Sequence, residues 1–348
     1  MTRRSRATPA NPNAGAPNLP LGPGPEFDAI RGLLARWGTS ATGIGDDCAV
    51  VAVPAGERLC ASTDSSVENV HFRREWLTPR EIGYRATAAA LSDLAAMAAR
   101  PLGVLVAITL PASWRTELDA IADGIGEAAT RAGTVILGGD LSAGGELSVT
   151  LTVLGSAAHP LGRHGARAGD HVYVTGALGA SLGALRELMR GERPSPMQLE
   201  RFARPQPRLK EARWLAEHGA SAAIDISDGL GADLGHLAAA SGVRIALDLE
   251  RVPLAEEIDP RTGAWRRDTL GSRSPQQLMD AATSGEEYEL VVTIGGDLDE
   301  ADFVREFHLA ITEIGRVETA VHMEDVGLLA HLRGARVDLP RGHDHLSR

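Results

Sequence analysis

Short apolar runs alternate with amphipathic stretches along most of this 348-residue chain. Helical spacing of the apolar positions predicts helices over Phe27–Trp37, from Pro79 to about Ala99, and over Thr116–Ala132. The second of these is preceded by Thr78 and includes Glu81, the order of a capping box with a proline in the first turn. That order fixes where the helix begins.

Segments rich in valine, isoleucine and leucine between glycine and proline turns predict β-strands. In the first half these segments are Ala49–Val53, Arg58–Thr63, Gly103–Leu110, Thr134–Leu137 and Leu147–Leu154. In the second half they are His171–Thr175, Ala222–Ile226, Val243–Leu249, Leu290–Ile294 and Ala310–Val317. Because strands and helices intermix in both halves, the pattern predicts a protein of mixed α/β and α+β class with two similar lobes.

Composition indicates where these lobes are divided. Six prolines lie among alanine, asparagine and glycine within residues 1–25, and such a composition predicts a disordered tail. The stretch from His159 to Gly169 is typical of a loop and is the predicted hinge between the lobes. We therefore expect a first domain over residues 26–160 and a second over residues 161–348.

The net charge of −11 argues against a nucleic-acid partner, whose binding requires clustered cations to neutralise phosphates. Lys210 is the only lysine, and no P-loop pattern surrounds it. Cys48 and Cys60 lie in apolar surroundings and are expected to be free, buried thiols. No apolar run approaches the ~20 residues of a transmembrane helix, and the first residues lack the order of a secretory signal, so we expect a cytoplasmic protein.

Acidic side chains recur beside the predicted strands of the first lobe. The turn Gly43–Asp47 precedes two strands, Ser62-Thr-Asp64 adjoins the end of the second, and Gly138-Gly-Asp140 follows a third. Two carboxylates held about 4 Å apart repel by roughly 4 kcal/mol near a protein surface, so a cluster of them needs a counter-ion. Oxygen ligands in this density predict magnesium, which commonly shares its coordination with substrate phosphates.

Further aspartates lie in or near predicted helices. Asp93 borders the apolar face of the helix that begins at Pro79, and aspartate is a poor residue for the middle of a helix. Asp225 and Asp228 flank Ser227, a predicted N-cap at a strand-to-helix junction whose amide groups would attract phosphate. The alternative interpretation is that each aspartate only caps a turn.

Seven motifs, in this order, make the chain similar to thiamine-monophosphate kinase from about residue 26 to the C-terminus. They are Gly45-Asp-Asp47, Ser62-Thr-Asp64, Val70-His-Phe72, Leu91-Ser-Asp-Leu-Ala-Ala-Met97, Gly138-Gly-Asp140, Asp225-Ile-Ser-Asp-Gly-Leu230 and Ser284-Gly-Glu-Glu-Tyr-Glu-Leu290. The resemblance implies the two-lobed aminoimidazole ribonucleotide synthetase-like fold. In that fold an N-terminal α/β lobe dimerises through its sheet, and ATP binds between it and a C-terminal α+β lobe. A homodimer is expected on this resemblance alone.

The resemblance also implies a role for each matching residue. Several magnesium ions would be held by Asp47, Ser62, Thr63, Asp64, Asp93, Asp140, Asp225 and Asp228, of which Asp47, Asp93, Asp140 and Asp228 would be catalytic. ATP would be bound by Gly139, Asp140, Arg163 and Ser227. Thiamine monophosphate would contact His71, Glu286 and His343. The reaction implied is ATP-dependent phosphorylation of thiamine monophosphate to thiamine diphosphate, by direct in-line transfer on the magnesium cluster.

Some positions depart from the family's pattern. Glu287 stands where the family has aspartate, and residues 141–143 replace threonine and arginine. In the tail, His343 stands where the family has an aromatic ring that packs on the substrate's heterocycle, which leaves open a non-catalytic sensor of thiamine phosphates or nucleotide. For His71 the alternative is a packed, hydrogen-bonded histidine. Relatives that activate selenide, and relatives that take part in hydrogenase maturation, use a cysteine near one terminus. This chain has none there.

Overall fold

The computed structural model describes residues 11–257 and 273–340 of the chain. By its internal contacts the chain divides into two compact units. The first runs to Ala90 and resumes over Arg100–Ala158, and the second comprises Leu91–Ala99 and the chain from His159 onward. These units differ from the predicted domains chiefly in the segment Leu91–Ala99, which carries Asp93 into the second unit.

The first unit is built on a mixed sheet. Its strands are β1 (Arg58–Val67), β2 (Arg100–Leu110), β3 (Ile136–Ala143) and β4 (Ser148–Ala157), and its helices are α1 (Pro25–Trp37), the first turns of α2 (Pro79–Ala96) and α3 (Leu118–Arg131). In the order β1-β4-β2-β3, β4 pairs antiparallel with β1 and β2, while β3 pairs parallel with β2. Val149, Leu151 and Val153 of β4 are fully buried at alternate positions, so the sheet has one apolar face.

The start of α2 and its crossing with α3 depend on a few residues. The predicted capping box is present, because the Thr78 amide donates to the Glu81 carboxylate and the Glu81 amide donates to the Thr78 hydroxyl. A Cβ atom on Gly83 would lie 2.0 Å from a carbonyl oxygen of α3, and one on Gly124 would lie 1.9 Å from a carbonyl oxygen of α2. Only glycine therefore allows the two helices to approach this closely.

The second unit is also built on a mixed sheet. Within the described residues its strand order is β11-β10-β7-β9-β5-β8-β6, and all neighbours are antiparallel except β7 and β10. The strands are β5 (His171–Thr175), β6 (Ala220–Asp225), β7 (Arg244–Asp248), β8 (Leu290–Ile294), β9 (Ile311–Glu318), β10 (Gly327–Leu332) and β11 (Ala335–Val337). The helices are α4 (Ala180–Met189), α5 (Pro196–Ala203), α6 (Leu209–Glu217), α7 (Leu230–Ser241), α8 (Pro275–Thr283) and α9 (Glu300–Phe307).

The core of the second unit lies on the face of this sheet that α7 covers. Leu230, Leu234 and Leu237 of α7 belong to one buried cluster with Ile245 of β7 and Val291 of β8. β5 and β8 lie inside the sheet and are buried along their whole length. This packing fixes the end of β6 and the start of α7, which carry the acidic motif of the second unit.

Two local predictions for the first unit need correction. The segment Ala49–Val53 is not a strand, because the Asn13 side chain accepts the Ala52 N–H at 2.7 Å and donates to the Ala52 carbonyl at 3.2 Å in place of a neighbouring strand. Asn13 is thus anchored, which differs from the disorder predicted for residues 1–25; residues 1–10 lie outside the described residues. Both cysteines are free, but Cys48 is exposed in a turn and Cys60 is only partly buried on an outer strand.

Candidate functional site

Acidic residues of the second unit gather where β6 ends. Asp225 is the last residue of β6 and is 4% exposed. Burial, and next the charge of Asp93, raise the pKa of Asp225 from 3.8 to about 6, although the Ser92 hydroxyl and Arg163 oppose the rise. Because two carboxylates in a poorly solvated place repel each other, this pair favours the binding of a cation.

The loop after β6 is held by a carboxylate that sequence reasoning missed. The Oδ2 atom of Asp233, in the first turn of α7, accepts hydrogen bonds from the N–H groups of Ser227, Asp228 and Gly229 at 3.1, 3.2 and 3.1 Å. Asp233 is 2% exposed, and burial followed by the charges of Asp225 and Asp228 raises its pKa to about 7. The signal for this role was an acidic residue in the first helical turn, where free amide groups favour a carboxylate.

The prediction that Ser227 caps α7 is wrong. Gly229, which has no side chain, occupies the N-cap position, and Asp233 satisfies the amide groups from within the helix. Since the N–H groups of Ser227–Gly229 donate to Asp233, the structure does not present them to a phosphate. Ser227 and Asp228 are half-buried, and Arg163 is exposed in the loop that precedes β5.

A second loop of the same unit contacts the first. The N–H groups of Glu286 and Tyr288 donate to the carbonyl oxygens of Ser227 and Ile226 at 2.7 and 2.9 Å. Glu286 and Tyr288 have left-handed backbones, with φ of 56° and 53°. Such a conformation costs a residue with a side chain roughly 1–2 kcal/mol, so the surrounding contacts must hold this loop in place. Glu286, a predicted substrate residue, is half-buried beside the Ser227–Asp228 loop.

In the first unit, the acidic turn Gly43–Asp47 lies near the start of β3. The Thr42 N–H donates to the Ile136 carbonyl at 3.0 Å, which brings the beginning of this turn beside the strand. The Asp46 carboxylate accepts the Asp47 N–H at 2.9 Å, so Asp46 caps the turn. Asp47 is exposed.

The predicted residues Ser62, Thr63 and Asp64 lie on β1, an outer strand of the sheet. The Thr63 hydroxyl is 2.9 Å from the Thr152 hydroxyl on β4, and Asp64, the next residue in the strand, faces the opposite side of the sheet. Asp64 is exposed and its carboxylate accepts the Ser65 N–H at 2.8 Å.

His71 follows β1 in a turn and is half-buried. Its Nδ1 atom accepts the Val67 N–H at 3.1 Å, so the proton of the neutral ring is on Nε2. This bond is the one expected of a packed histidine, and it also fixes how the ring is oriented.

Gly139 and Asp140 lie inside β3 rather than after it. A Cβ atom on Gly139 would lie 1.7 Å from the Val106 carbonyl oxygen, so only glycine fits beside β2 at this position. Asp140 is exposed and pairs with Ala107. The two outer strands that carry Asp64 and Asp140 are three strand spacings apart, about 14 Å.

A metal site is therefore only partly assembled. Within residues 11–257 and 273–340, no three histidine, cysteine, aspartate or glutamate side chains are grouped closely enough to hold an ion. The second unit assembles the pair Asp93 and Asp225, with Asp228 three residues further on. These are oxygen donors, which suit magnesium, and their mutual repulsion suits a divalent charge. The predicted substrate residue His343 lies outside the described residues.

Two models of known protein families together match most of the chain. The AIR synthase related protein, N-terminal domain, matches residues 45–157, and the AIR synthase related protein, C-terminal domain, matches residues 167–325. Thiamine-monophosphate kinases from Rhodopirellula baltica and Salmonella typhimurium are each 36% identical to this chain, over 300 and 280 residues respectively. These alignments cover 83% and 77% of this chain, and 87% and 82% of the two relatives.

Solved structures similar to this chain include members of the same family. Thiamine-monophosphate kinase from Stenotrophomonas maltophilia is 30% identical with a TM-score of 0.73, covering 91% of this chain and 98% of that one. A ThiL protein complexed with AMPPCP and TMP is 29% identical with a TM-score of 0.69, covering 92% and 97%. A hydrogenase maturation protein, HypE, has a TM-score of 0.70 at 18% identity, which shows a shared fold alone.

Proposed function

This chain belongs to the thiamine-monophosphate kinase family, and we propose that it transfers the γ-phosphoryl group of ATP to the phosphate of thiamine monophosphate. The products are thiamine diphosphate and ADP. One observation carries this proposal: a solved ThiL that shares the fold over 92% of this chain is complexed with an ATP analogue and TMP. We assign the chemistry to four aspartates of the acidic motifs, Asp47, Asp93, Asp140 and Asp228.

The acceptor needs little activation. The second pKa of a phosphate monoester is about 6, so at neutral pH the thiamine monophosphate phosphate is mostly a dianion and requires no general base. The protein must instead bring two polyanions together in line and offset their repulsion. Arg163 adds a fixed positive charge close to Asp225, and Asp233 keeps the Ser227–Gly229 loop in one conformation.

Magnesium is the proposed counter-ion in the second unit. Asp93, Asp225 and Asp228 would hold it there, and when bound it neutralises phosphate charge. The raised pKa of Asp225 supports this assignment, because it shows that burial and Asp93 leave that carboxylate short of positive charge. In the first unit Asp47, Ser62, Thr63, Asp64 and Asp140 are further proposed ligands, and Gly139 is proposed to approach ATP through its backbone.

The thiamine end of the substrate is assigned to His71 and Glu286. His71 has a fixed ring orientation through the bond from Val67, and Glu286 has a fixed backbone through the bond to Ser227. Both residues are half-buried, as expected of side chains that contact a bound ligand on one side.

An assay that detects ADP tests the proposal directly. The purified chain, with ATP and thiamine monophosphate, is expected to form ADP and thiamine diphosphate in equal amounts, and only when magnesium is present. ATP with thiamine in place of the monophosphate serves as the control, because it lacks the acceptor phosphate. Binding of thiamine monophosphate without any ADP would contradict the kinase assignment and identify the chain as a sensor.

The homodimer and the cytoplasmic location stay predictions. The polar face of the first unit's sheet, with its hydroxyl pairs Thr63–Thr152 and Ser65–Thr150, supports the proposal that copies associate through this sheet. Light scattering after size-exclusion chromatography tests it, since a monomer at micromolar concentration would contradict it. In the described part of the chain, no helix has the length and apolarity needed to cross a membrane.

A further inference from the structure

A buried cluster of charges lies behind the Ser284–Glu289 loop. Glu289 is fully buried, and its carboxylate accepts bonds from Arg208 Nε at 2.7 Å, Arg201 at 2.8 Å and the Thr175 hydroxyl at 2.7 Å. Arg208 is 7% exposed. Since a buried ion pair is costly to desolvate, desolvation offsets much of the attraction within this cluster, while its hydrogen bonds fix the positions of the side chains.

Glu287 ties the same loop to the start of α4. It is 4% exposed, and its Oε1 atom accepts the N–H groups of Gly179 and Ser181 at 2.8 and 3.2 Å, as well as the Ser284 hydroxyl. The Ser284 hydroxyl oxygen in turn accepts the Leu182 N–H at 3.1 Å. Glu287 also lies 3.7 Å from Arg201, which connects it to the cluster around Glu289. The positive charges of Arg201 and Arg208 thus offset the negative charges of Glu287 and Glu289.

Glu286 lies directly before this anchored segment and carries the left-handed backbone described above. Its N–H bond to the Ser227 carbonyl connects it to the loop of Asp228. A residue in this conformation relaxes readily when its neighbours are released, because the extended and helical regions are lower in energy. The contacts of Glu287 and Glu289 therefore act together with the bond to Ser227 in holding the Glu286 backbone in this conformation.

We propose that Glu287 is a positioning residue, which with Arg201, Arg208 and Glu289 holds the Glu286 loop in the conformation that binds the thiamine end of the substrate. The proposal rests on the proposed function and deepens it. It predicts that loosening Glu287 weakens the binding of thiamine monophosphate more than that of ATP. The reason is that the released residue, Glu286, is assigned to thiamine monophosphate.

The test compares Glu287→Ala with two matched variants. Glu287→Gln keeps an oxygen acceptor for the Gly179 and Ser181 amides, and Glu257→Ala makes the same truncation at another buried glutamate. Glu257 is 6% exposed, pairs with Arg273 and accepts the Leu254 N–H at 3.3 Å. We expect Glu287→Ala to raise KM for thiamine monophosphate about tenfold and to leave KM for ATP within about twofold. Glu287→Gln and Glu257→Ala are expected to leave both values within about threefold.

An equal rise in both KM values for Glu287→Ala would overturn the proposal, as would the same pattern in Glu257→Ala. If Glu287→Ala does not fold, Ser284→Ala takes its place, with an expected rise of about threefold in KM for thiamine monophosphate; no rise would overturn the proposal.

Amide hydrogen exchange separates this proposal from the proposed function. Glu287→Ala should speed exchange of the Glu286 amide about tenfold or more, while Glu257→Ala should not. Unchanged exchange would overturn the positioning role even in an active enzyme. If the wild-type chain formed no thiamine diphosphate but exchange responded as expected, the kinase assignment would fail and the anchoring of the loop would stand.

Discussion

The acidic residues of the two units differ in how far the fold removes their carboxylates from water. In the second unit Asp225 and Asp233 are 4% and 2% exposed, and burial raises the pKa of each. In the first unit Asp47, Asp64 and Asp140 are exposed. A buried carboxylate beside another has already lost its water and gains most from a cation, whereas an exposed one stays hydrated until a ligand arrives. Folding thus arranges the second unit's acids in advance, and binding must organise those of the first.

The largest expected effect tests whether both sets of acids serve one reaction. Asp228→Asn and Asp47→Asn should each lower kcat by about 100-fold or more, because each removes a proposed metal ligand without removing volume. Coupled detection of ADP measures the loss. Asp123→Asn, at a half-buried acid of α3 that pairs with Arg36 at 3.1 Å and is not among the proposed site residues, should retain wild-type turnover. Near-normal turnover in either site variant would count against the metal scheme, provided that circular dichroism shows an intact fold.

The next largest effect is expected in how the unfolding free energy depends on pH, because Asp225 titrates differently in the folded and unfolded chain. The pKa of Asp225 is about 6 in the folded chain against 3.8 when exposed, so the unfolded state loses this proton first as pH rises. Stability therefore falls between pH 3.8 and about 6 and stays reduced above that, by about 3 kcal/mol at ~1.4 kcal/mol per pKa unit.

Asp225→Asn should consequently be more stable than the wild type at about pH 8 by up to this amount, with the advantage disappearing near pH 4. Urea unfolding at both pH values measures it. Asp93→Asn, which removes only the second cause of the shift, should show part of the gain. An advantage that does not change with pH would refute the explanation.

A somewhat smaller effect is expected where a buried acid organises backbone amides. Asp233→Ala leaves the N–H groups of Ser227, Asp228 and Gly229 without their acceptor, which should cost about 1–3 kcal/mol of unfolding free energy. The comparison is made at about pH 5, where the raised pKa keeps Asp233 protonated in the folded chain, so that removal of its charge does not contribute. Asp233→Asn keeps an acceptor oxygen and should cost less. Equal losses of unfolding free energy in both variants, measured by thermal unfolding, would show that the hydrogen bonds to this carboxylate are not what stabilises the loop.

The smallest effect is expected at the exposed acids. Asp64→Asn should change the unfolding free energy by no more than about 0.5 kcal/mol, because its side chain is solvated on an outer strand. It should nevertheless raise the magnesium concentration needed for half-maximal activity. A stability change well above this range would show that Asp64, like Asp225, is constrained by folding.

Much of this protein was predictable from local sequence. The family and the two-lobed fold follow from seven ordered motifs, and the family models, relatives and solved structures confirm them. The ATP-dependent kinase reaction is the proposal that the ADP assay tests. The capping box at Thr78 and Glu81 was predicted correctly, since both of its hydrogen bonds join residues three positions apart. The roles of the individual site residues stay predictions, to be decided by the variants above.

Only the tertiary structure decided what is buried and what pairs with what. Ala49–Val53 has the composition of a strand, but the side chain of Asn13 takes the place of a strand partner. Glu287 and Glu289 look like surface acids in sequence, yet Arg201 and Arg208, some eighty residues earlier, make them internal anchors. The physical reason is range: helix periodicity and capping depend on near neighbours in the chain, whereas burial and charge pairing depend on residues that only folding brings together.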